Sequence, residues 1–217
     1  MGEVAHVRQS QAAFRPLVAF DFDGTLTDRD SFTAFLAWRA GPLRYSAGLA
    51  ALIPAGALYL ANRDRGRLKA AAVRRFLAGV SRAELEVDAQ AFAAEHGRGL
   101  LRPDALRAWR RWQAKGARLV IVTASPETVV APIARGLGAD LLIGTRLAFD
   151  DAGRVTGELD GPNCRGPEKA RRLREAFGDA VALEAAYGDT DGDVDMLALA
   201  EERGMKVFNG AGAGGSR

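Results

Sequence analysis

Leu17-Val18-Ala19-Phe20-Asp21-Phe22-Asp23-Gly24-Thr25 runs from four apolar residues straight into two carboxylates with one residue between them. The apolar run predicts a short strand buried on both faces. Asp has poor strand propensity, and two of them at a sheet end repel each other and lose hydration unless positive charge sits nearby. A divalent cation meets that need. Gly24 lets the backbone turn tightly, and the Thr25 hydroxyl can bond a neighbouring carboxylate or backbone group. The same residues also read as a strand closed by an Asx-type turn, so five residues alone leave both readings open.

Upstream, residues 1–16 end in Arg15-Pro16 and read as a flexible leader, polar and interrupted by charges, with no apolar signal-peptide stretch. Downstream of Thr27 the pattern becomes helical from Asp30 to about Leu101. Apolar residues recur at Phe32, Phe35 and Leu36, at Leu68, Val73, Phe76 and Leu77, and at Leu85, Ala89 and Phe92. Ser81 followed by Glu84 is a capping-box start for the last of these helices. Residues 28–101 are therefore expected to form a helical insertion that splits a core of residues 17–27 and 102–209.

Inside the insertion, Tyr45 to Asn62 carries no charge, with Arg44 before it and Arg63, Arg65 and Arg67 after it. At ~1.5 Å per residue this is near the lower limit for crossing a bilayer core. It is rich in Ala and Gly, and Pro54 interrupts it. A buried or substrate-facing helix pair, a membrane-surface contact and a span all fit, and the basic flanks favour lipid contact.

From Pro103 helix and strand alternate, the signature of a parallel α/β sheet. Pro103 to Lys115 reads as a helix closed by Gly116, then 118–122 as a strand, 126–137 as a helix and 141–143 as a strand. Residues 147–149 and 155–159 read as a hairpin about Asp150-Asp151-Ala152-Gly153. A helix over 167–177, a strand over 183–187, a helix over 194–203 and a final strand over 206–208 complete the pattern. The Gly-rich residues 210–217 are expected to be disordered.

The composition, 48% hydrophobic and 26% charged, is that of a globular protein with one core. A net charge of +3 comes from Arg residues spread over helices, which argues against nucleic acid and suits phosphorylated substrates or an anionic membrane face. A single cysteine, Cys164, leaves no internal disulfide or cysteine-rich zinc site and fits a cytoplasmic location, with membrane association allowed by the apolar segment. Oligomeric state is not legible.

Ligands of an open parallel sheet bind beyond the carboxyl ends of its strands. The first strand brings Asp21 and Asp23 there, and the second brings Thr123-Ala124-Ser125, whose hydroxyls and free N–H groups before a helix suit an anion. Gly166-Pro167-Glu168-Lys169 offers a cation, and Gly188-Asp189-Thr190-Asp191-Gly192-Asp193 follows a late strand. Singly, each has a plain reading as a helix cap, a solvated lysine or an acidic helix start. Their coincidence at predicted strand ends is the informative feature.

Taken in order, DFDGT, VTAS, Lys169 in GPEK and GDTDGD resemble the four motifs of the haloacid dehalogenase superfamily of phosphohydrolases. An all-helical insertion directly after the first motif is similar to the type 1 cap of its phosphoserine-phosphatase-like branch, subfamily IB. The DSFTAFL run, the apolar cap segment and CRGPEKARRL resemble bacterial members that include phosphatidylglycerophosphate phosphatases of the C type. The resemblance implies a Rossmann-like three-layer core and a Mg²⁺-dependent phosphomonoesterase working through an aspartyl-phosphate. It further implies Asp21 as nucleophile and Asp23 as general acid and base. The metal would be held by Asp21, Asp189 and the Asp23 backbone carbonyl. Thr123, Lys169 and the backbone N–H of Ala124 would clamp phosphate, with Asp193 holding Lys169 or acting through water. Asp30 stands where phosphoserine-specific members carry a Glu, and it reads equally as the cap of the first inserted helix. Lipid phosphate and phosphoserine are the two substrate expectations, and a catalytically inactive binding module is the non-enzyme alternative.

Overall fold

The computed structural model describes residues 15–210. The leader and tail expectations fall largely on residues 1–14 and 211–217, outside the described part. Strand β1 (Leu17–Phe20) has its last three residues fully buried, and it is followed by helices α1 (Ser31–Ala51), α2 (Ile53–Asn62), α3 (Arg65–Leu77), α4 (Arg82–Leu100) and α5 (Pro103–Ala114). Next come β2 (Arg118–Pro126), α6 (Glu127–Leu137), β3 (Leu141–Thr145), β4 (Leu147–Phe149), β5 (Val155–Leu159), α7 (Pro167–Phe177), β6 (Leu183–Gly188), α8 (Val194–Leu197) and β7 (Ala200–Met205). Strands order as β3-β2-β1-β6-β7, every pairing parallel, so the strand carrying Asp21 is central. The architecture is the expected Rossmann-like α/β sheet with flanking helices.

Burial on both faces explains the apolar first strand. Phe20 contacts Trp109 of α5 and stacks against Tyr187 of β6 on one side of the sheet, whereas Ala19 joins a second cluster with Val120, Leu173 and Met196 on the other. Trp109 and Trp112 each bury an indole N–H, and each finds an acceptor: Leu137 O and the Tyr187 hydroxyl, both at 3.0 Å.

Helices α1 to α4 follow one another between β1 and α5. Phe35, Val73, Leu77, Leu85, Ala89 and Phe92, predicted from periodicity, are all buried. Leu68 and Phe76, read the same way, instead line a cavity. Helix α1 breaks at Gly41 (φ +71, ψ 165), where Pro42 cannot continue the ladder. Ser81 caps α4 by accepting from Glu84 N, but the Glu84 carboxylate pairs with Arg39 of α1, joining two helices rather than closing a capping box. The β4–β5 hairpin packs on α3, and Gly157 (φ +94) lies so close to it that a Cβ would sit 2.9 Å from Arg74 Cα.

One end of the chain departs from expectation. Helix α8 stops at Leu197, not 203, and the last strand is 200–205, not 206–208. Ala-Glu-Glu-Arg-Gly-Met looks helical because Glu and Arg are strong helix formers. It is an edge strand in which only Ala200 and Gly204 are buried, so no apolar run announces it, and main-chain pairing with β6 sets it. Among the described residues no single helix is long and apolar enough to cross a membrane, though α1 and α2 form an apolar pair bent by 49°.

Candidate active site

Beyond the carboxyl ends of β1, β2 and β6, residues far apart in the chain converge. Asp21 leaves β1 with its N–H bonded to Tyr187 O, so its carboxylate projects from the middle of the sheet. Lys169, from the first turn of α7, donates to Asp21 Oδ1 (2.5 Å), Asp193 Oδ1 (2.6 Å) and Val122 O (2.7 Å) and is 2% exposed. Its three donors are thereby all used, which locks the ammonium in one place. Burial alone would lower the Lys169 pKa, but Asp21 and Asp193 outweigh it and bring it to about 12.

Carboxylate oxygens of Asp21, Asp189 and Asp193 lie within 4.8 Å of one another. Asp193 is fully engaged: its second oxygen accepts from Asp189 N, Thr190 N and the Thr190 hydroxyl. Asp21 Oδ2 accepts from Thr25 Oγ1 at 3.1 Å. The Asp189 carboxylate accepts no side-chain hydrogen bond and none from another residue among those described. It lies against Gly24, where φ is +85 and an added Cβ would stand 2.2 Å from Asp189 Oδ2. Three carboxylates against one ammonium leave two negative charges in a shared space, and the donors are all oxygen. A hard divalent cation such as Mg²⁺ fits that set, with Asp189 the carboxylate to which no other described residue donates. Electrostatics agree. Burial raises Asp21 to about 7 against the pull of Lys169, and Asp193 and Asp23 add repulsion. Asp189 is likewise raised, chiefly by burial and then by Asp193.

Asp23 lies outside this cluster. Its carboxylate accepts from Ser125 Oγ at 2.5 Å and from Ser31 N at 2.7 Å, and burial, then the charge of Asp30, raises its pKa. The acid is thus held by β2 on one side and by the start of α1 on the other. Asp30 caps α1 by accepting from Thr33 N at 2.6 Å, and it also faces the cavity. Thr123 is fully buried, with its hydroxyl accepting from Ser125 N at 3.0 Å, so the wall of the cavity at this strand end is Ala124 and Ser125. The register of β2 shifts between Val122 and Pro126, so Ala124 and Ser125 both line the cavity while the buried Thr123 hydroxyl orders the turn that presents them.

Three cations lining the cavity escaped sequence reasoning. Lys69 of α3 reaches across to donate to Ala124 O, its pKa lowered by burial. Arg65 lines the mouth, and Arg165 donates to Thr190 Oγ1 at 3.4 Å and pairs with Asp191. Arg65 and Lys69 sit in an Arg-rich helix and Arg165 in the loop before α7, where nothing local distinguishes them from solvated charges. The cavity itself measures ≈ 620 Å³, with Asp21, Asp23 and Lys169 at its floor and α1 to α3 over it.

The sequence profile of the haloacid dehalogenase-like hydrolases matches residues 18–198, from β1 to the end of α8. The chain belongs to that family. Protein CicA of Caulobacter vibrioides is 63% identical to this hydrolase over 194 residues, 89% of this chain and 87% of that protein. A phosphoserine phosphatase of Halobacterium salinarum is 32% identical over 185 residues, covering 83% and 81%. A solved structure of a protein of unknown function from Bordetella pertussis Tohama I is similar in fold, with a TM-score of 0.70 at 27% identity over 85% of this chain and 86% of that one. As a haloacid dehalogenase-like hydrolase with a phosphoserine phosphatase relative matched over 81% of that protein's length, the chain is a phosphatase.

Proposed function

We propose that this phosphatase cleaves a phosphate monoester in two displacements, with Mg²⁺ held by Asp21, Asp189 and the Asp23 backbone carbonyl. The observation that carries the reading is the meeting at one rim of a Lys169-clamped Asp21, an Asp189 to which no other described residue donates and a separately held Asp23. An Asp21 oxygen attacks phosphorus while the bond to the leaving oxygen breaks, and Asp23 gives that oxygen its proton. Water then attacks the aspartyl-phosphate, Asp23 takes the water's proton, and inorganic phosphate departs. The bound cation neutralises charge on the phosphoryl oxygens. The charge of Lys169 and the backbone around Gly24 and Ala124 complete the cradle, Ser125 holding Asp23 and Thr123 ordering that turn. Helices α1 to α3 exclude water.

The substrate reading follows from the walls. Leu36, Leu49, Leu52, Tyr59, Leu68 and Phe76 surround the space above the carboxylates, which suits a leaving group with an apolar part, such as a lipid phosphate of the phosphatidylglycerophosphate kind met at a membrane's cytoplasmic face. A second reading, a small metabolite such as phosphoserine, is favoured by the Halobacterium relative and by Asp30 at the cavity. Release of phosphate from p-nitrophenyl phosphate is expected with Mg²⁺, abolished by EDTA and restored by excess Mg²⁺. Full activity in chelator would overturn the metal assignment. Comparing kcat/KM for phosphatidylglycerophosphate in micelles with that for phosphoserine separates the two substrates.

Gly24→Ala tests the cradle. Its Cβ would meet Asp189 and its φ disfavours any side chain, so Asp189 must move. The Mg²⁺ concentration for half-maximal rate is expected to rise by about tenfold or more, against a fold cost of only ~1–2 kcal/mol. An unchanged metal titration would place the cation elsewhere.

A further inference from the structure

Helix α2 reads Ile-Pro-Ala-Gly-Ala-Leu-Tyr-Leu-Ala-Asn and has no charged residue on any face, yet none of its residues is buried. A helix apolar all round belongs in a core or in lipid, and this fold supplies it with no core. Leu43 at the break of α1 is 86% exposed, Ile53 68%, Leu58 52% and Leu60 67%. Exposed large apolar side chains concentrated between residues 43 and 60 mark a contact site.

Charge identifies the partner. From Ser31 through Arg63 there is no Asp or Glu. Arg39 is occupied by Glu84 and Asp88, and Arg67 by Asp64, whereas Arg44, Arg63 and Arg65 make no ion pair among the described residues. Unpaired guanidinium groups thus flank an uncharged apolar stretch, the pattern of a helix lying in the interface of an anionic bilayer. The first half of α1 is tied into the core by Phe35 and Leu36, ten residues of α2 alone reach only ~15 Å, and the inner side of α2 lines the cavity, so the bent pair is read as lying on a bilayer and not crossing it.

We propose that the end of α1 and α2 dock this enzyme on an anionic lipid surface, the outer face of α2 in the interface and its inner face at the mouth of the active site. Leu52, Gly56 and Tyr59 line the cavity on that inner side, so docking sets the mouth against the bilayer. The inference deepens the lipid-phosphate reading, on which it rests for the origin of the substrate but not for the binding itself.

The test is co-sedimentation of the full chain with vesicles of phosphatidylcholine alone and of phosphatidylcholine with phosphatidylglycerol. Binding is expected on the mixed vesicles and to weaken with salt. Leu43→Asp and Leu60→Asp, outside the cavity, are each expected to lower the partition coefficient by about tenfold, and Arg44→Ala by roughly fivefold. All three are expected to turn over p-nitrophenyl phosphate at the parent rate, so loss of docking and loss of chemistry are read separately. No binding to mixed vesicles, or binding untouched by both Asp substitutions, overturns the proposal. Self-association in sedimentation velocity, abolished by Leu43→Asp and without vesicle binding, overturns it in favour of a second copy of the chain on this face.

Discussion

Asp21→Asn is expected to abolish phosphate release, by on the order of 10³-fold or more, while the protein melts no lower than the parent. The Asn side chain has the same shape and still offers an oxygen to Lys169, but it cannot form the aspartyl-phosphate. Stability is expected to hold or rise because the parent carries a carboxylate that burial pushes up to about 7, beside the like charges of Asp193 and Asp23. Removing it relieves desolvation and repulsion together, the trade between stability and activity common at such sites. The pair of measurements matters. Lost activity with a lowered Tm would indicate damage to the fold, and retained activity would remove Asp21 from the chemistry.

Lys169→Met should be costly to both. The parent ammonium binds two carboxylates and a carbonyl in a site 2% exposed, and Met fills the space without neutralising anything. Breaking a buried pair from one side typically costs ~3–5 kcal/mol, which for a chain of this size lowers Tm by about 10 °C. Turnover is expected to fall by on the order of 10³-fold, since the variant frees Asp21 to move and removes a positive charge from the phosphoryl site. In the companion double variant, Asp21→Asn should raise the Tm of Lys169→Met by more than it raises that of the parent, with none of the activity recovered. A strictly additive loss of stability in that cycle would mean the two groups do not interact as their 2.5 Å contact implies.

Legibility of the fold varied with how strongly burial is written into neighbouring residues. Leu17 to Phe20 and the run after Arg118 announce strands because both faces are covered and the residues must be apolar. Ala200 to Met205 announces nothing, because an edge strand buries two side chains of six and keeps its helix-forming charges in water. Around the cavity, Asp21, Asp23, Lys169, Asp189 and Asp193 were singled out from their motifs, and the folded chain brings them together. Lys69, Arg65 and Arg165 were not, since a cation that crosses from one helix to another element leaves no local pattern.

Covered strands, many of the inward-facing residues and the carboxylates at a strand end could be read from the chain alone, because burial and the repulsion of adjacent charges act on neighbours in the chain. Strand order and the pairings came with the folded arrangement: Lys169 between Asp21 and Asp193, Asp23 turned to Ser125, Thr123 withdrawn from the cavity, and α2 left uncovered. Those depend on the angle and distance at which separate elements meet, and side chains on β1, β2, α3, α7 and β6 share a space only after the sheet has formed.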